Sequence, residues 1–197
     1  MKLIITRHGE TEENIAGILQ GHLPGKLSIE GIEQAKKVAL RLKDEKIDFI
    51  YSSDLERASN TAKEIVKYHL KTPIKFVEEL RERDLGEYQG KKKSDFGWDA
   101  KDQRVTFLEP KEGETMEEVY KRAENFLHEI ILKHHTDSVL FVCHGGVGKV
   151  LVAVITGKKH TEIKSVESLQ NTSISTFEID KDKNHEIVCY NCTKHLE

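Results

Sequence analysis

The sequence is poor in the features that stabilise small secreted domains or mark disordered tails. It has 3 cysteines, an odd number, which makes no disulfide framework and predicts a reducing compartment, the cytoplasm. Its 3 prolines among 197 residues argue against a Pro-rich disordered segment. The longest apolar runs are strand-sized, as from Val139 to Cys143, far short of the roughly 20 apolar residues that cross a bilayer. Leu3-Ile4-Ile5 is too short for a signal-peptide core and has no small-residue cleavage site after it. A net charge of -3 gives no basic footprint for nucleic acid. There is no internal repeat and no low-complexity tract. What remains is a globular mix, 37% hydrophobic and 33% charged. A chain of this length buries roughly 70% of its unfolded surface without a metal or disulfide staple. Residues 1–195 read as one domain; Leu196-Glu197 has the look of a cloning scar and is set aside.

Strand-like and helix-like patterns alternate. Lys2 to Thr6 reads as a short buried strand ending at Arg7-His8-Gly9-Glu10. Ser28 caps a helix whose apolar face is Ile29, Ile32, Ala35, Val38, Ala39 and Leu42. Asp48 to Tyr51 is a second strand. Ser52, Ser53 and Asp54 cap the next helix, with Leu55, Ala58, Ala62, Ile65 and Val66 inward, and Pro73 stops it. Ile74 to Val77 is a third strand. The pattern then breaks from Arg83 to Gly113, where Tyr88, Phe96, Trp98 and Phe107 recur without a period; a stretch this long predicts a lid with small helices of its own. Thr115-Met116-Glu117-Glu118 matches a capping box and opens a helix to about His134. Ser138 to Cys143 is the fourth strand, followed by His144-Gly145-Gly146 and a helix from Val147 to Ile155. Ser173–Ile179 and Glu186–Tyr190 form a hairpin across Asp180 to Asn184. The expected fold is α/β: a three-layer α/β/α sandwich, mostly parallel, with an antiparallel edge strand.

Chemistry-bearing residues gather at the carboxyl ends of these strands, where open parallel sheets bind ligands. The first strand ends in Arg7-His8. The second precedes Ser53 and Arg57, the third leads to Arg81-Glu82-Arg83, and the fourth ends in His144-Gly145. Guanidinium forks match phosphoryl oxygens. A neutral imidazole attacks phosphorus, and a carboxylic acid protonates a leaving alkoxide. Such a set predicts phosphoryl transfer without a metal or other cofactor.

Arg7-His8-Gly9-Glu10-Thr11 with Asn14 resembles the signature of the histidine phosphatase superfamily, which includes the phosphoglycerate mutases. Ser52-Ser53-Asp54-Leu55 with Arg57 and Thr61, Leu80 to Gly86 with Gly90, Gly113-Glu114-Thr115, and Val142-Cys143-His144-Gly145 extend the resemblance over nearly the whole chain. It implies a mutase-like fold, His8 as phosphorylated nucleophile, and Arg7, Arg57 and His144 as a clamp on the phosphoryl oxygens. Asn14 and the Gly145 N–H add hydrogen bonds, and Glu82 is the acid and then the base. A phosphate held there favours charge on His144 and requires a neutral His8. Thr11 and Gln20 either contact substrate or shape the loop. Tyr88 and Lys91, in the specificity segment after the acid, are further binding candidates, and Lys91-Lys92-Lys93 either faces solvent or attracts a second phosphate.

The other eight histidines read as incidental, His134-His135 as a helix end where positive charge is favoured. Cys189-x-x-Cys192 is half of a zinc pattern without a second half. Relative to the mutases the chain looks short after Tyr88 and at its C-terminus, which favours net hydrolysis. Leu80 to Lys91 is similar to a fructose-bisphosphatase branch and nearly as similar to phosphoserine and α-ribazole-phosphate phosphatases; those often carry Trp-Glu-Gly where this chain has Tyr88-Gln89-Gly90. The expected substrate is a small phosphomonoester, a sugar phosphate or phosphorylated metabolite, taken by a monomer or homodimer. The alternatives are a mutase, a phosphoprotein phosphatase and a phosphate-binding regulator without turnover.

Overall fold

The structure, a computed structural model, describes residues 1–99, 105, 108–180 and 184–197. Six strands form one sheet in the order β3-β2-β4-β1-β5-β6: β1 (Lys2–Arg7), β2 (Phe49–Ser53), β3 (Ile74–Val77), β4 (Ser138–Cys143), β5 (Ile174–Ile179) and β6 (His185–Cys192). β1 pairs in parallel with β4, β4 with β2, and β2 with β3. β5 runs antiparallel to β1, and β6 antiparallel to β5, so the antiparallel partner is the penultimate strand and β6 forms the edge.

The layers follow from the two-residue period of a strand. Leu3, Ile5, Tyr51, Val139, Phe141 and Cys143 point to one face, where they pack with α4 (Met116–Lys133) and α5 (Gly145–Ile155). Ile4, Ile50, Leu140 and Val142 point to the other, against α2 (Ile29–Leu42) and α3 (Glu56–Val66). Each such buried aliphatic side chain contributes about 1.5–3 kcal/mol relative to exposure. A short α1 (Glu12–Ile15) follows the β1 loop.

Several boundaries differ from the sequence reading. Ile29 is 87% exposed and Ile32 is also exposed, because Gly31 turns inward beside them. A Cβ on Gly9 would lie 2.3 Å from the Gly31 carbonyl oxygen, and one on Gly31 would lie 1.9 Å from that of Glu10. The turn after β1 therefore presses on the first turn of α2, and neither position tolerates a side chain. The N-cap of α3 is Leu55, with no side-chain cap; Ser53 accepts from the Leu55 N–H, and Asp54 takes Arg81 instead. That helix ends at Val66, ahead of Pro73, in turns closed by His69 N–H to Val66 and Thr72 N–H to His69. α5 starts at Gly145, directly on its N-cap His144. The Thr115–Glu118 capping box forms as expected.

Residues 83–113 contain 3-10 turns at Gly86–Tyr88 and Lys93–Phe96. Leu19 N–H donates to the Lys91 carbonyl, and Gly90 N–H to that of Leu19, which ties this segment to the loop after α1. Phe107 and the hairpin residues 181–183 lie outside the described residues. Among the described residues no helix is long and apolar enough to cross a membrane.

Candidate active site

β1 and β4 are parallel neighbours with Arg7 opposite Cys143, so the residues that follow them, His8 and His144, emerge side by side. Their rings lie 5.1 Å apart between centroids. Arg57, in the first turn of α3, reaches the same place, and Glu82 arrives from the loop after β3. Arg7, His8, Asn14, Gln20, Arg57 and Glu82 all line one cavity of about 150 Å³.

His8 is buried, and its Nδ1 lies 2.7 Å from the Gly9 carbonyl oxygen. A carbonyl only accepts, so Nδ1 carries the proton and Nε2 keeps its lone pair. Burial pushes the His8 pKa well below 6.5, and Arg57 and Arg7 lower it further. The ring is therefore neutral near pH 7. Its main chain is fixed by His8 N–H to the Cys143 carbonyl and by Asn171 Nδ2 donating to the His8 carbonyl.

Arg57 is 1% exposed. Its Nε donates to His144 Nδ1 at 3.1 Å, and its terminal nitrogens donate to the Gly21, Leu23 and Pro24 carbonyls. Four of its five N–H groups thus have protein acceptors. Besides lining the cavity, it holds the loop from Gly21 to Pro24, whose first residue also lines it. Burial brings its pKa down to about 10 despite Glu82. Arg7 donates to the Leu169 carbonyl, whereas its buried Nε has no partner. Gly145 sits against that guanidinium: a Cβ there would be 3.4 Å from Arg7 Cζ.

His144 is buried against the site but is not on the cavity wall. Its Nδ1 accepts from Arg57, so Nε2 bears the proton and donates to Ser53 Oγ at 2.8 Å. Burial, then Arg57 and His8, push its pKa well below 6.5. The charge expected on His144 belongs to the site with a phosphate in it, whose negative charge opposes this shift. The neighbouring Cys143 thiol is pushed up by burial and is not a nucleophile.

Glu82 is fixed by main-chain donors. Oε1 accepts from Arg83 N–H and Val147 N–H, and Oε2 from Gly146 N–H at 2.9 Å. Its carboxylate caps the first turn of α5, with favourable dipole alignment. Among the described residues that line the cavity it is the one carboxylate.

Four expected binding residues, Thr11, Gly145, Tyr88 and Lys91, are not among those that line the cavity. Thr11 is the buried N-cap of α1, accepting from Asn14 N–H and Gln20 Nε2. Both lone pairs of its buried hydroxyl are taken within the loop, which it shapes. Tyr88 packs edge-on against Phe96 at 5.9 Å, Phe96 stacks on Trp98 at 5.0 Å, and the Lys91 ammonium sits 5.3 Å from the Tyr88 ring centre. That aromatic cluster turns both side chains away. Asn14 does line the cavity, and its Oδ1 also accepts from Thr11 N–H. Gln20 lines it with a buried Oε1 that has no partner.

Other residues were not singled out by the sequence. His22 lies 2.8 Å through Nε2 from the Glu82 carbonyl oxygen and donates its main-chain N–H to Gln89 Oε1, joining its loop to that of Glu82. Arg83, Leu85, Met116, Val119 and Lys149 also line the cavity. Lys149 had a legible signal, as the one charged residue in the apolar run from Gly145 to Ile155. Among the described residues no three His, Cys, Asp or Glu side chains gather closely enough to hold a metal ion.

Comparison with known proteins gives this site a family. The model of the histidine phosphatase superfamily (branch 1) matches residues 3–193. Phosphoglycerate mutase-like protein 4 of Arabidopsis thaliana is 33% identical over 204 residues, which cover 100% of this chain and 87% of that one. A metal-independent phosphoserine phosphatase of the same plant is 32% identical, over 99% of this chain and 83% of its own. The solved mycobacterial glucosyl-3-phosphoglycerate phosphatase, in complex with VO3, superposes with a TM-score of 0.87 at 25% identity, covering 98% of this chain and 99% of that one. The chain belongs to the histidine phosphatase superfamily, branch 1, and is a phosphoric monoester hydrolase.

Proposed function

We propose that this histidine phosphatase hydrolyses small phosphomonoesters through a phosphohistidine on His8, without a metal. The observation that carries the reading is the tautomer of His8: a buried neutral imidazole whose Nδ1–H is held by the Gly9 carbonyl, leaving Nε2 as the nucleophile on a cavity that Arg7 and Arg57 also line. In the first step the Nε2 lone pair forms a bond to phosphorus while the ester P–O bond breaks, and Glu82, as the acid, gives its proton to the departing alkoxide. In the second, water attacks the phosphorus, Glu82 takes a proton from that water, and the P–N bond breaks to return the lone pair to Nε2. The unpartnered Arg7 Nε, on a guanidinium that lines the cavity, supports a role for Arg7 in holding an equatorial oxygen through both steps.

A cavity of about 150 Å³ suits a small ester; an engineered cavity of about that volume holds benzene. The relative named a phosphoserine phosphatase supports a phosphorylated metabolite as substrate. Arg83, Leu85 and Val105 on the cavity wall support residues 83–113 as the segment that sets specificity. The relative named a phosphoglycerate mutase-like protein favours the second reading, transfer rather than hydrolysis. A panel of phosphorylated metabolites, assayed for free phosphate, separates the two. Release of phosphate supports the phosphatase. Conversion of 3-phosphoglycerate to its isomer in the presence of the bisphosphate, with no free phosphate, supports the mutase. Inertness on every ester, with binding retained, overturns both in favour of a regulator.

A further inference from the structure

Lys149 lies in α5, one helical turn beyond Gly146, so both residues sit on the same face and both line the cavity. Three residues of helix rise about 4.5 Å. Lys149 thus lies one turn further along α5 than the residue that meets the Glu82 carboxylate. It is 5% exposed, and no described residue offers its ammonium a hydrogen bond or a counter-charge. Burial alone acts on it and lowers its pKa. The other cations on the wall differ. Arg57 is occupied by its loop carbonyls, and Arg83 by the Glu114 and Leu108 carbonyls. An ammonium on a buried residue without a protein acceptor is left to whatever the cavity holds, and an anionic ligand is its best partner there. Leu85, Met116 and Val119 also line the cavity, and these apolar side chains would strengthen a charge-assisted bond to such a ligand.

We infer that Lys149 is a specificity-determining residue that receives a second anionic group of the substrate, a carboxylate or a second phosphate, on an ester whose first phosphate is placed at His8. This rests on the phosphatase reading above and narrows its substrate class to doubly functionalised esters. An ester with one phosphate and a neutral remainder leaves the ammonium unpaired and is the poorer substrate.

The test is a discrimination ratio. kcat/KM is measured for matched esters with and without the second anion: O-phosphoserine against O-phosphoethanolamine, 3-phosphoglycerate against glycerol 3-phosphate, and fructose 1,6-bisphosphate against fructose 6-phosphate. The native enzyme is expected to favour the more anionic member of at least one pair by ten- to hundredfold. The first two pairs report a carboxylate and the third a phosphate. Lys149→Met is expected to reduce that preference at least tenfold, chiefly through KM, and Lys149→Arg to restore part of it. Calorimetric titration of a His8→Asn variant with the same compounds reads the preference as affinity, so a failure of turnover does not remove the test. No preference in the native protein, or equal losses on both members of each pair in Lys149→Met, overturns the inference while leaving the phosphatase reading intact.

Discussion

Gly146→Ala probes the proposed acid, Glu82, without replacing it. A Cβ at position 146 would lie 2.4 Å from Glu82 Oε1 and 3.1 Å from its Cδ. The carboxylate end must retreat by at least about 0.6 Å to reach 3.0 Å, the shortest separation such carbons tolerate. That movement pulls it from the Gly146 and Val147 N–H groups, now at 2.9 and 3.1 Å. A general acid is worth about 10²–10⁴ in rate, and misplacing a reacting group by 1 Å costs about 10². The expected result is a fall of about 10² in kcat/KM on an alkyl phosphate, or about 2.7 kcal/mol of barrier. p-Nitrophenyl phosphate, whose leaving group needs little protonation, should lose less than about tenfold. Alanine has the better helix propensity by about 1 kcal/mol, and the clash is with the end of a flexible side chain, so the melting temperature should hold. Both esters are assayed by phosphate release, with thermal unfolding as control. Equal losses on the two esters, with the fold intact, would refute Glu82 as the proton donor.

Three further predictions follow from the same geometry. The folded pKa values of His8 and His144 lie below the unfolded value of 6.5, so the unfolded chain binds more protons below that pH. Their contribution to stability is therefore full above about pH 6.5 and is lost as pH falls, by about 1.4 kcal/mol per pH unit for each ring; a His8→Asn/His144→Asn variant should show a shallower acid loss, and an unchanged slope would contradict the burial argument. Arg57→Ala leaves the Gly21, Leu23 and Pro24 carbonyls and His144 Nδ1 without their donor, and should cost about 3 kcal/mol or more in denaturant unfolding; a loss under about 1 kcal/mol would mean that this loop holds itself. Dialysis against a chelator should leave phosphate release unchanged, and recovery only on adding a divalent ion would point to a metal.

The strands were readable because a buried parallel sheet imposes apolar runs, as in Val139 to Cys143, and because the turns after them carry motifs in a fixed order. The convergence of Arg7, His8, Arg57 and Glu82 was readable for the same reason: it follows from strand ends. What was hidden depends on contacts between distant segments. Ile29 looked inward by spacing, yet the turn at Gly9 occupies the place beside Gly31. Tyr88 and Lys91 looked like substrate contacts, yet they turn to Phe96 and to each other. Thr11 sits inside a signature motif, yet its hydroxyl is used in capping α1. Arg57 looked like a phosphate ligand alone, while main-chain carbonyls, which no side-chain pattern reveals, make it a loop clamp as well.

The account stands or falls on the chemical fate of His8. The enzyme is mixed with a saturating ester, quenched in alkali, where a phosphorylated imidazole survives, and digested for mass spectrometry. The phosphoryl group is expected on the peptide containing His8, at Nε2, and absent from His8→Ala, which should also lose turnover. Turnover that persists in His8→Ala, or a phosphoryl group trapped on another side chain, would contradict it.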